Sequence, residues 1–297
     1  MNLRRVILIA NPKGGVGNNA SLAAKAETFL SDHAIETRVL FTKYAGHARE
    51  IVEQLECREG DAICGVGGDG TMHELVNGLM NRNAESRVLL TLLPGGTGNS
   101  FLQDLSCLDP AEVLSRMMGQ TSRFVDLFEV TIGGTTRYGF NIVGWGLMSS
   151  ANQLAESMRW LGRRRYDVAA LAHLFINRRY PATLKVDGET IEDEFTLLAA
   201  CNTIHTGEGM MLAPKAVLDD GKLDLLYLKK ATRLDMLRMF AKLGKGKHLG
   251  APGIHYQQVS SLTLTTDASL PINVDGELIG SGSFSVRILP GALEVLL

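Results

Sequence analysis

The chain has 297 residues, 45% of them hydrophobic and 21% charged, which gives length enough for two domains and an ordinary globular composition. Its formal net charge of −2 carries no global signal for nucleic acid, and no run approaches the roughly 18 apolar residues of a membrane span. Cys57, Cys64, Cys107 and Cys201 form neither a C-x-x-C pair nor a metal-ligand spacing, so they read as reduced thiols of a cytoplasmic protein.

Val6–Ala10 reads as a first buried strand. It is too short for a secretory leader, and Asn11-Pro12-Lys13-Gly14-Gly15 stands where a cleavage site would be needed. The glycine-rich loop that follows is closed by Gly17-Asn18-Asn19 and lacks the Gly-Lys-Ser/Thr of a Walker loop. Leu22, Ala26, Phe29 and Leu30 mark a helix face, Arg38–Phe41 a second strand, and Ile51, Val52 and Leu55 another helix. Asp61-Ala62-Ile63 then leads into Cys64-Gly65-Val66-Gly67-Gly68-Asp69-Gly70-Thr71-Met72-His73-Glu74, and Met72, Leu75, Val76, Leu79 and Met80 recur at helical spacing. Val88–Leu93 is a further strand, ending in Pro94-Gly95-Gly96-Thr97-Gly98-Asn99-Ser100-Phe101, and Val113, Leu114, Met117 and Met118 supply one more helix.

Strand, glycine turn and helix present backbone N–H groups and a helix N-terminus to an anion. Glycine lets that backbone approach phosphate oxygens without a Cβ in the way. Asp69, in the middle of the turn, would repel phosphate unless a cation intervenes or the carboxylate acts as a base. The stretch therefore points to a nucleoside triphosphate with Mg²⁺, or to proton abstraction beside a transferred phosphate. Gly65-x-Gly67-x-x-Gly70 also satisfies the dinucleotide fingerprint, and a plain tight turn is the bland alternative. Two glycine loops ending the strands of one parallel sheet converge on a common crevice.

The texture changes after Asp126. Leu127–Ile132 and Arg137–Val143 suggest a hairpin around Gly133-Gly134, and Thr183–Val186 with Ile191–Ala200 a second around Asp187-Gly188. Further strands are expected at Leu223–Leu228, Ser261–Thr265, Leu270–Val274, Ser283–Leu289 and Leu293–Leu296, with a helix among them carrying Leu234, Leu237, Phe240 or Ala241, and ending at Leu243-Gly244. The expected architecture is an α/β domain over residues 1–126, with a parallel sheet and glycine-rich loops. A mainly antiparallel β-sandwich-like domain follows over 127–297, with a helical insertion at about 151–180.

In order and spacing these motifs resemble the diacylglycerol kinase catalytic-domain superfamily, which includes bacterial lipid kinases, sphingosine kinases and ceramide kinases. The likeness runs through Asn11–Gly15, Gly67–Thr71 with Glu74 and Asn77-Gly78, and Pro94–Asn99. It continues through Trp160-Leu161-Gly162 with Arg165-Tyr166, Ala213-Pro214, Leu218–Gly221, Asn273–Glu277 and Leu289–Leu293. The resemblance implies a two-domain lipid kinase that transfers phosphate from ATP, with Mg²⁺, to the hydroxyl of a lipid. Nucleotide contacts would fall on Thr42, on Gly67, Gly68, Asp69, Gly70, Thr71, Met72 and His73, and on Thr97. Asn11, Gly95, Gly96 and Asn99 join them from the flanking loops. The Mg²⁺-associated acid would be Asp69. The general base would be Glu277 in the bacterial pattern, with Asp275 in the same turn, or Asp69 in the sphingosine kinase pattern. A structural Mg²⁺ would sit at Asp220 with the carbonyls of Val217 and Lys222. Asp69 and Glu277 come from opposite domains, so closure would bring them together.

Several alternatives stand beside this reading. Val186-Asp187-Gly188-Glu189 repeats Val274-Asp275-Gly276-Glu277, and Asp-Gly is a good hairpin turn; the family alignment, not the pattern, selects the second copy. Asp219-Asp220-Gly221 reads equally as a surface turn. Asp126 is either a cleft residue or a domain-boundary aspartate. His73 and His205 receive no catalytic role. Met158–Tyr166, basic with interleaved aromatics, fits peripheral contact with an anionic membrane better than nucleic acid. Trp145-Gly146 is followed by Leu147-Met148-Ser149-Ser150-Ala151-Asn152, without the acidic residues that engage a sphingoid head in sphingosine and ceramide kinases. That favours an uncharged, diacylglycerol-like alcohol, a sphingoid base remaining the alternative lipid. Asn18 and Asn19 stand where many members carry a lysine. A NAD kinase-like enzyme and a silent nucleotide- or lipid-binding module are the rivals from other classes. A homodimer is compatible with the reading.

Overall fold

The structure, a computed structural model, describes residues 3–15, 18–82, 88–96, 98–150, 178–207 and 209–296. The chain divides into two compact units, one of Met1–Leu127 with Pro290–Leu297 and one of Phe128–Leu289. The change of texture after Asp126 places everything beyond it in a second domain, whereas the last residues, Pro290–Leu297, return to the first unit.

In the first unit, β1 (Arg5–Ala10), β2 (Glu36–Phe41), β3 (Asp61–Gly67) and β4 (Leu89–Pro94) alternate with α1 (Asn19–Asp32), α2 (His47–Gln54) and α3 (Asp69–Asn81). Two further helices, α4 (Ser100–Asp104) and α5 (Pro110–Gly119), precede β5 (Ser122–Ile132). The sheet order is β4-β3-β1-β2, all parallel. Every residue of β3 is buried, as expected of a strand covered on both faces. Helix α1 turns Ala23, Ala26 and Leu30 inward. Asp109 caps α5 by accepting the Ala111 N–H, with Pro110 at its first position.

The second unit contains β6 (Thr135–Gly139), β7 (Ile142–Gly146), β8 (Tyr180–Val186), β9 (Glu189–Cys201), β10 (His205–Thr206), β11 (Met210–Met211) and β12 (Leu223–Lys229). After α6 (Arg233–Leu243) come β13 (Ile254–Val259), β14 (Ser261–Thr265), β15 (Pro271–Val274), β16 (Glu277–Ser281) and β17 (Phe284–Leu296). Pairing is antiparallel, in the order β16-β15-β7-β9-β8-β14-β17, with β12 between β9 and β13. From Phe195 onward strand β9 is buried on both sides: Leu198 and Ala200 enter a core with Phe128, Trp145 and Leu225, while Leu197, Ala199 and Cys201 face Met236, Met239 and Leu243 of α6. This is the β-rich second half that the turn spacing predicted.

The structure redraws three expected elements. The run Arg137–Val143 is two strands, broken between Gly139 and Ile142. Ser283–Leu289 and Leu293–Leu296 are one strand, β17, which keeps Gly291 at φ +57. Strands β13, with His255, Gln257 and Gln258, and β16, where Leu278 and Ile279 are the apolar residues, carry no apolar run or strict alternation that would predict them. Among the described residues no helix is long and apolar enough to cross a membrane.

Candidate active site

Strand register gathers the predicted nucleotide contacts at one edge of the parallel sheet. Ala10 lies opposite both Phe41 and Val66, and Gly67 lies opposite Pro94. The next residues of each strand, Asn11, Thr42, Gly68 and Gly95, therefore leave the same edge side by side. This is the carboxyl end of the strands, where ligands of open α/β sheets bind. The Thr42 N–H donates to the Ala10 carbonyl at 2.9 Å, and the Asn11 N–H to Val66 at 3.3 Å.

The three glycine-bearing loops interlock through their backbones. The Gly95 N–H donates to the Gly67 carbonyl at 2.8 Å, and the Asp69 N–H to the Gly98 carbonyl at 3.1 Å. A Cβ on Gly96 would lie 2.4 Å from the Gly68 Cα, and one on Gly68 would lie 2.5 Å from the Gly98 carbonyl oxygen. Glycine is required here so that backbone can pack on backbone, a reason separate from the approach to phosphate that the sequence suggests. Asn19, at the start of α1, completes the lattice by donating to the Asn11 carbonyl at 2.8 Å.

Asp69 opens α3. Its Oδ2 accepts from the N–H of Ser100 at 3.1 Å and from the Ser100 hydroxyl at 3.0 Å, so the carboxylate is oriented by the second glycine loop. The N–H groups of Gly70 and Thr71, in the first turn of α3, have no acceptor among the described residues. Helix-terminal amides and the helix dipole favour an anion, and the neighbouring carboxylate oxygen is a hard donor, a set that suits a phosphate accompanied by Mg²⁺. Met72 and His73 are buried, so their side chains serve the helix core and only their backbone is near the turn. Thr97 lies outside the described residues.

Glu74 has a role the sequence did not reveal. Its Oε1 accepts the Gly46 N–H at 2.8 Å and its Oε2 the Ala48 N–H at 2.9 Å, capping α2 from a neighbouring helix. Gly78 lets that helix come close, since a Cβ there would sit 2.8 Å from the Arg49 carbonyl. Together they fix the loop that starts at Thr42.

In the second unit, the turn after β15 is held by Asp275. At φ +53 and only 6% exposed, its carboxylate accepts from the N–H groups of Phe140 at 3.2 Å, Asn141 at 2.9 Å and Ile142 at 3.0 Å. These are the amides left over where the expected strand 137–143 breaks. Asn202 donates to the Phe140 carbonyl at 3.0 Å and Thr203 bonds Asn141, so a buried polar cluster supports the turn. Glu277 emerges from it exposed, pairing with Val274 at the start of β16. The twin turn has the same backbone, with Asp187 at φ +44, but its carboxylate is exposed and accepts from Ser260 and Ser261. Burial opposes ionisation of Asp187, yet hydrogen bonds from Ser260 hold its carboxyl below the usual range.

Asp220 accepts from the Lys222 N–H at 2.9 Å on one oxygen and from Gln258 at 2.9 Å on the other, an ordinary Asx-type turn. One carboxylate and two carbonyls are oxygen donors that suit a hard cation. Among the described residues, no cluster of three or more His, Cys, Asp or Glu side chains is placed to hold a metal. Asp126 belongs to the first unit, is buried, and accepts the Gly291 N–H at 2.7 Å, tying β5 to β17. The basic-aromatic stretch Met158–Tyr166 and most of the expected insertion lie outside the described residues.

The Diacylglycerol kinase catalytic domain matches residues 5–130, and the YegS C-terminal NAD kinase beta sandwich-like domain matches residues 141–297. A protein named Diacylglycerol kinase from Bacillus subtilis is 27% identical, the alignment covering 94% of this chain and 91% of the other. Sphingosine kinase 1 of Arabidopsis thaliana is 25% identical over 96% of this chain and 70% of its own. A crystal structure of a diacylglycerol kinase from Bacillus anthracis str. Sterne shares the fold, with a TM-score of 0.73 at 22% identity, covering 100% of this chain and 97% of that one. The interlocked glycine loops around Asp69, the Asp275 turn and both domain matches converge: the chain belongs to the diacylglycerol kinase family of lipid kinases, phosphotransferases that act on a lipid.

Proposed function

We propose that the chain transfers the γ-phosphate of Mg-ATP to the hydroxyl of an uncharged, diacylglycerol-like lipid. The observation that carries the nucleotide half is the anchored Asp69 carboxylate beside the open N–H groups of Gly70 and Thr71. The lipid half rests on the neutral run after Trp145-Gly146, where Ser149 turns its hydroxyl back to the Gly146 carbonyl at 3.1 Å. An ammonium head would meet no carboxylate there, and leaving such a cation unpaired is costly.

Phosphoryl transfer asks the protein to hold the acceptor in line, accept its proton and neutralise charge on the phosphate oxygens. Asn11, Thr42, the residues from Gly67 to Thr71, and Gly95, Gly96 and Asn99 bind and orient the phosphates. When bound, Mg²⁺ supplies charge neutralisation; Asp69 would hold it, and Asp220 with the carbonyls of Val217 and Lys222 would hold a structural ion. Glu277 accepts the hydroxyl proton, and Asp275 positions Glu277 by fixing its turn. The lipid approaches from a membrane surface, which makes the protein peripheral.

The test is transfer of radiolabelled γ-phosphate from Mg-ATP to diacylglycerol, monoacylglycerol, sphingosine, ceramide and NAD in mixed micelles. Label in diacylglycerol that disappears with Asp69→Asn is the expected result. Label in sphingosine instead would overturn the lipid assignment, label in NAD the lipid reading altogether, and no label in any acceptor the transfer itself.

A further inference from the structure

Helix α6 carries two apolar faces. Met236, Met239 and Leu243 are buried in the second unit's core. On the opposite side Leu234 is 54% and Leu237 44% exposed, and Ala241 continues the exposed row at helical spacing. Single exposed leucines are ordinary, but two on one helix face, with the core satisfied by the other face, require a different explanation. From Thr232 to Gly250 the chain holds five basic residues, Arg233, Arg238, Lys242, Lys245 and Lys247, and one acidic residue, Asp235. All five basic residues are exposed, Arg238 lying 3.9 Å from Asp235 in an i,i+3 ion pair. Asp235 is engaged in the capping box with Thr232, accepting its N–H at 3.0 Å and its hydroxyl at 2.6 Å. The chain as a whole is net −2, so this excess of positive charge is local.

We infer that the outer face of α6, with the Lys245–Lys247 turn after it, docks on an anionic phospholipid bilayer, Leu234 and Leu237 entering the acyl boundary while Arg238, Lys242 and Lys245 meet the headgroup charge. This deepens the lipid-kinase reading, because it names the surface that brings the protein to its substrate. Helical placement supports it. At 100° per residue Arg238 and Lys242 flank the leucine row on one side and Arg233 on the other, the arrangement of an interfacial helix. Two other occupants fit less well. A second copy of the same face would set like charges against each other across a two-fold axis. A nucleic acid would account for the basic residues and leave the leucines without a role.

The experiment is co-sedimentation of the full chain, without nucleotide, with vesicles of phosphatidylcholine alone or with about one third phosphatidylglycerol. The expected result is binding to the anionic vesicles only, falling as salt rises from about 0.1 to about 0.5 M. Leu234→Gln with Leu237→Gln, and separately Arg238→Gln with Lys242→Gln and Lys245→Gln, should each weaken that binding by about tenfold. Both variants should keep wild-type turnover on a short-chain diacylglycerol dispersed below its micelle concentration. Wild-type vesicle binding by either variant, or no binding by the wild type, overturns the proposal. So does binding lost by the charge variant alone and shared with duplex DNA. Because sedimentation needs no catalysis, absent turnover with intact vesicle binding would count against the kinase substrate reading and not against this surface.

Discussion

Three carboxylates with similar sequence surroundings do different work, and their partners say which. Asp69 is oriented by Ser100 and faces open helix-terminal amides, so Asp69→Asn should lower turnover by about a hundredfold or more while leaving the melting temperature unchanged. Glu277 is exposed at the start of a strand, and Glu277→Gln should behave the same way, read by steady-state kinetics beside thermal unfolding. Asp275 is buried on three backbone amides. Its replacement by Ala strands those donors, and denaturant titration should show a loss of about 3 kcal/mol. Normal stability of Asp275→Ala would refute the clamp.

Among the elements, glycine in the loops after β3 and β4 is a packing requirement. Gly96→Ala would push its new Cβ into the Gly68 backbone, so the loops must part. The expected outcome is a stability loss of about 2 kcal/mol together with a higher KM for ATP, checked by unfolding and by kinetics. A change in KM with no loss of stability would show instead that the contact is with nucleotide alone. The glycine blocks, the strand–loop–helix order and the carboxyl-end crevice were legible in the sequence, because periodicity and turn chemistry are local. The Gly96–Gly68 contact was not, since the two residues are far apart in the chain. For the same reason Glu74 looked like one more motif residue, although its acceptors serve another helix.

At the scale of the whole molecule, His248 couples stability to acid. It is fully buried, with Nε2 3.0 Å from the Leu212 carbonyl, and burial pushes its imidazole below the ordinary value of 6.5, the Leu212 carbonyl partly offsetting this. The unfolded chain takes up a proton near that ordinary value while the folded chain resists. Stability is therefore full above about pH 6.5 and declines as pH falls below it toward the lowered native value. The urea midpoint should drop between pH 7.5 and 5.5, and His248→Gln should shrink that drop even if it lowers the midpoint at pH 7.5; an undiminished drop in the variant would remove His248 from the account. The thiols make a second check. Cys64, Cys107 and Cys201 are buried, and burial pushes Cys64 up to about 12, so Cys57, which is only half-buried, should be the one of the four to react with a thiol reagent in the native state.

The class of the fold, the family and the position of the glycine loops after β3 and β4 are legible in the amino-acid sequence, because each is written in short-range signals: apolar runs, glycine turns and helical spacing. Tertiary structure alone decided three other things. It returned Pro290–Leu297 to the first unit through Asp126 and the Gly291 amide. It separated two identical Val-Asp-Gly-Glu turns, burying Asp275 on the amides of a broken strand and leaving Asp187 at the surface. It also set Leu234 and Leu237 outward on a helix whose core face was already filled. In each case the deciding partner is distant along the chain, and local sequence carries no record of what will be packed against it.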